Sequence, residues 1–133
     1  MLLPDQSDPP RSYRLSIPRG ARPWLTDNQR MSWRPRAQII KAWRQTAGYS
    51  GRAGEVPHFP HGAHIIAELR FSDARNRDPN NWNPTAKACI DGLVDARIFA
   101  DDNHRLVIGP DMRIGPVVPR PDICIVFHFW PNT

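Results

Sequence analysis

Apolar and polar positions change period several times along the chain, and each change marks a candidate element. In "YRLSI", Tyr13, Leu15 and Ile17 alternate with polar neighbours, as in a strand with one buried face. A turn-rich stretch, "PRGARPWLTDNQRMSW", follows, and its tryptophans read as belonging to an ordered loop or a binding surface. The period then lengthens: Ile39, Ile40, Trp43 and Ala47 recur at helical spacing, predicting a helix from about Pro35 to Ala47 with Ser32 as its cap. "GYSGRAGEVPHFPHGAH" is punctuated by Gly and Pro and reads as a loop. Alternation returns in "HIIAELRF", where Ile65, Ala67, Leu69 and Phe71 oppose Ile66, Glu68 and Arg70.

Asn83-Pro84 opens a second predicted helix, Asn as cap and Pro in the first turn, running to about Arg97. Its apolar side is Ala86, Cys89, Ile90 and Leu93. Gly92 inside it costs about 1 kcal/mol relative to alanine, which suggests a tight approach to the sheet. "RLVIGPDMRIG" and "ICIVFHF" supply two more strands, and the second, apolar on both faces, is expected to be central. The order β-α-β-α-β-β predicts an α+β fold, a mixed β-sheet with two helices packed on it.

A chain of 133 residues is most simply one domain, here 13–133, behind a proline-broken segment, 1–12, expected to be a flexible tail. No apolar run is long enough to cross a bilayer and "MLLPDQ" is too short for a signal peptide, so a cytoplasmic protein with no membrane partner is expected. Cys89 and Cys124 are isolated within apolar stretches and read as buried small side chains. His58, His61 and His64 recur every third residue, but no cysteine or carboxylate at ligand spacing joins them, and a metal role is discounted.

Charge changes the picture more. The net charge is +5, carried by sixteen arginines and only two lysines, Lys41 and Lys87. Arginine's planar fork suits phosphate, which modestly favours a nucleic-acid partner. On the first predicted helix Arg34, Lys41 and Arg44 fall opposite the apolar side, an all-basic face able to lie along a phosphate backbone.

Against this background, "RDPNNWNPTAKACIDGLVDARIFADDNH" gathers five aspartates, four asparagines and Lys87 into twenty-eight residues. Lys87 and Asp91 are four apart and share a helix face. Asp78 lies in the loop before this helix, and Asp101 and Asp102 in the turn after it. Two readings stay open on spacing alone. Carboxylates from separate elements can meet beside the lysine to hold a hard cation. Alternatively Asp91 simply pairs with Lys87 while Asp78 and Asp101 serve their turns.

The joint pattern "RDPNN…K…D…ADD" resembles the RusA family of Holliday junction resolvases, whose signature is D-x-D-N, a following Lys, a helical Asp and a D-D pair before a strand. Asp78, Asn81, Lys87, Asp91 and Asp102 match it, and the likeness runs from about Trp24 to Gly115 through "WLTDNQRMSWRPRAQIIKAWR" and "GPDMRIG". The resemblance implies a RusA-like fold and a homodimeric endonuclease that cuts four-way DNA junctions in recombination and repair. It implies Mg²⁺ as cofactor, with Mn²⁺ able to substitute, and Asp78, Lys87, Asp91 and Asp102 as catalytic residues. Asp78, Asp91 and Asp102 would be metal ligands, with Asn80 and Asp101 as further candidates. Arg30, Arg34, Arg36, Lys41, Arg44, Arg75 and Arg77 are candidate DNA contacts. Two departures stand out: Asn80 replaces the second acid of D-x-D-N, and extra sequence, roughly "WNP", separates Asn81 from Lys87. An asparagine carbonyl still ligates Mg²⁺ but brings no charge. The alternative is therefore a DNA-structure-binding protein that does not cleave.

Overall fold

The computed structural model describes residues 12–133. The tail expected over 1–12 lies outside them except for Ser12. Four strands, β1 (Tyr13–Pro18), β2 (Ala63–Arg70), β3 (Val107–Ile114) and β4 (Cys124–Pro131), and two helices, α1 (Trp33–Ala53) and α2 (Asn83–Asp95), follow the expected order. The sheet is mixed, in the order β1-β4-β2-β3. β4 runs antiparallel to both β1 and β2, while β2 and β3 are parallel and joined by a crossover containing α2. The protein is thus α+β, a four-stranded mixed sheet with two helices.

Alternation decides which strand face is covered. Leu15 and Ile17 of β1, Ile65, Ala67 and Leu69 of β2, and Ile125, Phe127 and Phe129 of β4 share one core with Trp43 and Ala47 of α1 and Ala86, Cys89, Ile90 and Leu93 of α2. Both helices therefore lie on one side of the sheet. β4 is internal, and Cys124 and Val126 are buried as well, as its two-sided apolar pattern requires. β3 is an edge strand, and it tolerates Pro110 beside a register shift opposite His64–Ile66. Among the described residues no helix is long and apolar enough to cross a membrane.

Three expectations need correction. α1 does not stop near Ala47 but continues to Ala53, through glycines read as loop punctuation. Gly48 and Gly51 are buried against the second helix region: a Cβ at Gly48 would lie 3.0 Å from the Gly92 carbonyl oxygen, and one at Gly51 2.5 Å from Ile98 Cδ1. These glycines let two helices touch rather than ending one. Correspondingly, the close approach at Gly92 is to α1, not to the sheet, since a Cβ there would sit 2.0 Å from the Arg44 carbonyl oxygen. Finally, Asn83 lies within α2 rather than capping it, because a 3-10 turn, Pro79–Trp82, precedes the helix. The capping side chain is Asp78, whose Oδ1 accepts from Asn80 N at 3.0 Å at the head of that turn. Ser32 holds the N-cap position of α1 without a side-chain capping bond.

Candidate functional site

α2 buries one face and presents Lys87 and Asp91 on the edge of the other, one turn apart. Lys87 Nζ donates to Asp91 Oδ1 at 2.8 Å and also to Asp102 Oδ2. Asp102 comes from the loop between α2 and β3, so the crossover folds back along its own helix to bring the two carboxylates to one ammonium. Asp101 serves the turn itself. Its Oδ1 accepts from Asp102 N at 2.7 Å and its Oδ2 from Asn103 Nδ2 at 3.3 Å, closing the turn that aims Asp102. Of the adjacent acids, Asp102 faces the lysine and Asp101 shapes the backbone.

The electrostatics follow from these contacts. Hydrogen bonds to Asp102 and then Asp91 raise the Lys87 pKa, and the bond from Lys87 holds the Asp102 carboxyl below its ordinary range. Lys87 remains about half exposed, its side chain at 56%, so the cluster is reachable from solvent.

Asp78 holds the N-cap of the 3-10 turn that precedes α2. Among the described residues no hydrogen bond or ion pair joins it to Lys87, Asp91 or Asp102. It lines instead a polar cleft of about 420 Å³ with Asp27, Asn28, Asn76, Asn80 and Trp82. The 3-10 turn bearing Asn80 and Asn81 is locked to the loop before α1: Asp27 N donates to Asn81 O at 2.9 Å and Asn28 N to Asn81 Oδ1 at 3.2 Å. Buried Thr85 anchors the same loop, accepting from Leu25 N at 2.9 Å and donating to Leu25 O at 2.8 Å. Asp27 is the acid that reading the sequence missed. Its segment showed only turn chemistry, and nothing local says that fifty-odd residues later Asn81 will hold it beside Asp78.

The donor atoms of Asp91 and Asp102 are hard oxygens of the kind Mg²⁺ prefers. Among the described residues, however, no group of three or more His, Cys, Asp or Glu side chains is arranged as a metal site. The structure brings together Lys87, Asp91 and Asp102, keeps Asp101 one residue away, and sets Asp78 and Asn80 in a cleft whose lining includes none of those three.

The basic candidates divide into two groups. Arg44 makes a two-pronged pair with Asp95, at 2.6 and 2.8 Å, which clamps α1 to α2 and holds the Asp95 carboxyl below its ordinary range. Arg77 is mostly buried, paired with Asp73 at 2.8 Å and lying 3.9 Å from the centroid of the Phe71 ring. Arg75 pairs loosely with Asp73 at 3.5 Å, and Arg36 donates to Gln29 Oε1 at 3.2 Å. Arg30, Arg34 and Lys41 are exposed and form no ion pair among the described residues. Of the tryptophans, Trp24 stacks on core Trp43 at 5.4 Å, Trp33 is 73% exposed beneath the Arg34 guanidinium, and Trp82 is half-buried between the two clefts. His58, outside the site, donates from Nδ1 to the Arg97 carbonyl oxygen at 2.6 Å.

No family model matches the chain, and no curated protein matches it.

Proposed function

We propose that the protein is a divalent-metal-dependent endonuclease that hydrolyses phosphodiesters at four-way DNA junctions. The observation that carries this reading is the convergence of Asp91 and Asp102 on Lys87, from a helix and a loop eleven positions apart, in a chain otherwise strongly basic. It is the arrangement that the resemblance to the RusA resolvases implies for those residues. Asp91 and Asp102, the two acids that converge, would hold the ion. When bound, a Mg²⁺ ion lowers the pKa of a water and polarises a phosphate oxygen.

The chain's own groups do the rest. Lys87, kept protonated by its two carboxylates, offsets negative charge that grows on a phosphate during hydrolysis. Asp101 fixes the turn so that Asp102 points inward. Arg30, Arg34 and Lys41 have guanidinium and ammonium groups available for the DNA backbone, positioning the strand without reading its sequence. A C2 homodimer would present two such sites with the approximate two-fold symmetry of a four-way junction.

The second reading, a junction-binding protein that does not cut, draws on two observations. Asn80 stands where the family carries an acid, and both convergent carboxylates already have Lys87 as partner. A labelled junction incubated with Mg²⁺ or with EDTA separates the two. Metal-dependent nicking that falls at least about a hundredfold in Asp102→Asn, with junction binding kept, is the expected result. Tight binding with no cutting in Mg²⁺ or Mn²⁺ would replace it with the second reading. An Asn80→Asp variant with unchanged Mg²⁺ dependence would remove residue 80 from the site.

A further inference from the structure

Beside the polar cleft lies a second cavity of about 320 Å³, walled by Arg19, Phe71, Asp73, Arg77, Trp82 and Arg120. Its lining mixes aromatic and cationic groups in a specific way. Phe71 and Trp82 meet edge to face at 5.2 Å, and because Phe71 is buried beneath the Arg77 guanidinium the aromatic wall is Trp82. Arg77 and Asp73 neutralise each other at 2.8 Å. Arg19 and Arg120 form no ion pair among the described residues, so the net charge of the cavity is positive. Two of its N–H groups, Arg19 Nε and Trp82 Nε1, are buried without a hydrogen-bond partner. A buried donor left unmade is costly, and a ligand that brings acceptors removes that cost.

We propose that this cavity takes one unstacked nucleotide of a DNA strand, its base against Trp82 and the Arg77 guanidinium and its phosphate between Arg19 and Arg120. A purely apolar ligand would leave the arginines and the indole N–H unanswered. A bare anion would ignore the Trp82 wall. A nucleotide answers both, since every base offers a π-face and acceptor atoms and every phosphate two charged oxygens. Trp82 and Arg77 also border the cleft that contains Asp78, so a strand seated here continues toward Asp78. The inference rests on the nuclease reading for the identity of the strand, but binding here needs neither metal nor junction.

The test uses the full chain in EDTA with two labelled single strands of equal length, one of thymidines and one of abasic sites. The thymidine strand is expected to bind about tenfold more tightly and alone to quench tryptophan emission. Trp82→Phe, which keeps a ring and removes the indole N–H, should reduce that preference. Arg120→Ala, at an exposed position, should weaken both strands several-fold and serves should the tryptophan variant fail to fold. Equal binding of the two strands by the parent protein overturns the inference, as does affinity unaffected by Arg120→Ala. Junction cleavage is scored separately: its absence with the base preference intact would sink the nuclease reading and leave the nucleotide cavity standing.

Discussion

Lys87 shows how much one side chain organises here. Without it, Asp91 and Asp102 would face each other as like charges. With it, three ionised groups share one edge of α2. The pH behaviour follows from the direction of each shift. Asp102 titrates below its ordinary value, so its contribution to stability is present above about pH 3.9 and lost as the pH falls through the lowered value. Lys87 titrates above its ordinary value, so its contribution is complete below about pH 10.4 and lost as the pH rises through the raised value. The pair is therefore constant across neutrality. Lys87→Met should cost no more than about 1 kcal/mol between pH 5 and 9, because the ammonium is largely solvated. In denaturant melts the difference from the parent should vanish below the carboxylate range. A variant as stable as the parent at pH 7 would show that the pair adds nothing to folding. The lysine–aspartate pair on α2 was legible from the i, i+4 spacing alone. The arrival of Asp102 was not, because nothing in the ten residues between it and Asp91 says which way the loop turns back. The division of labour between Asp101 and Asp102 likewise depends on one backbone hydrogen bond that composition cannot show.

At the scale of elements, the joint between α1 and α2 decides whether the site is built. Gly48 and Gly92 face one another across it, and Arg44 and Asp95 clamp it from the solvent side. Gly92→Ala would drive a methyl group into the Arg44 carbonyl, backbone against backbone, where neither can rotate away. The helices must separate, and a loss of roughly 1–3 kcal/mol is expected, read as a lower midpoint in thermal or urea unfolding. Gly48→Ala meets its neighbour at the looser 3.0 Å and should cost less. Equal stability for Gly92→Ala and the parent would show that the crossing is softer than drawn. Strand periodicity made the sheet legible: Leu15, Ile17, Ile65, Ala67 and Leu69 all take the buried side their alternation assigned. The last turns of α1 were hidden for a physical reason. Glycine carries the same letter whether it breaks a helix or lets two helices touch, and only the partner at Gly92 and Ile98 distinguishes the cases. Thr85 is a second example, polar in sequence but fully buried because Leu25 satisfies both its donor and its acceptor roles.

At the scale of the whole molecule, sixteen arginines outnumber the thirteen acids, and the ion pairs the structure forms separate arginines that hold the fold from those left exposed. Arg44 and Arg77 serve the fold, so removing them would confuse stability with binding. Arg34 and Lys41 on the outer side of α1 are the informative choices. Each, replaced by alanine, should weaken junction binding similarly for every sequence and lower the slope of log affinity against log salt by about 1. Thermal midpoints should stay close to the parent's, since surface substitutions of this kind change stability by about 0.5 kcal/mol or less. A salt slope unmoved by both variants would place the DNA on another surface.

β4 lies between β1 and β2, yet it is the last strand to be made. During synthesis β1 waits without a neighbour while more than a hundred further residues emerge. Until Cys124–Pro131 arrives, β1 cannot join the rest of the sheet, and the core face on which both helices rest is missing its middle. A polypeptide cut short before Cys124 should accordingly be unable to settle α2 and display the lysine with its two acids. For a protein read as a DNA-cutting enzyme, that order of assembly withholds the reactive edge from any nascent fragment.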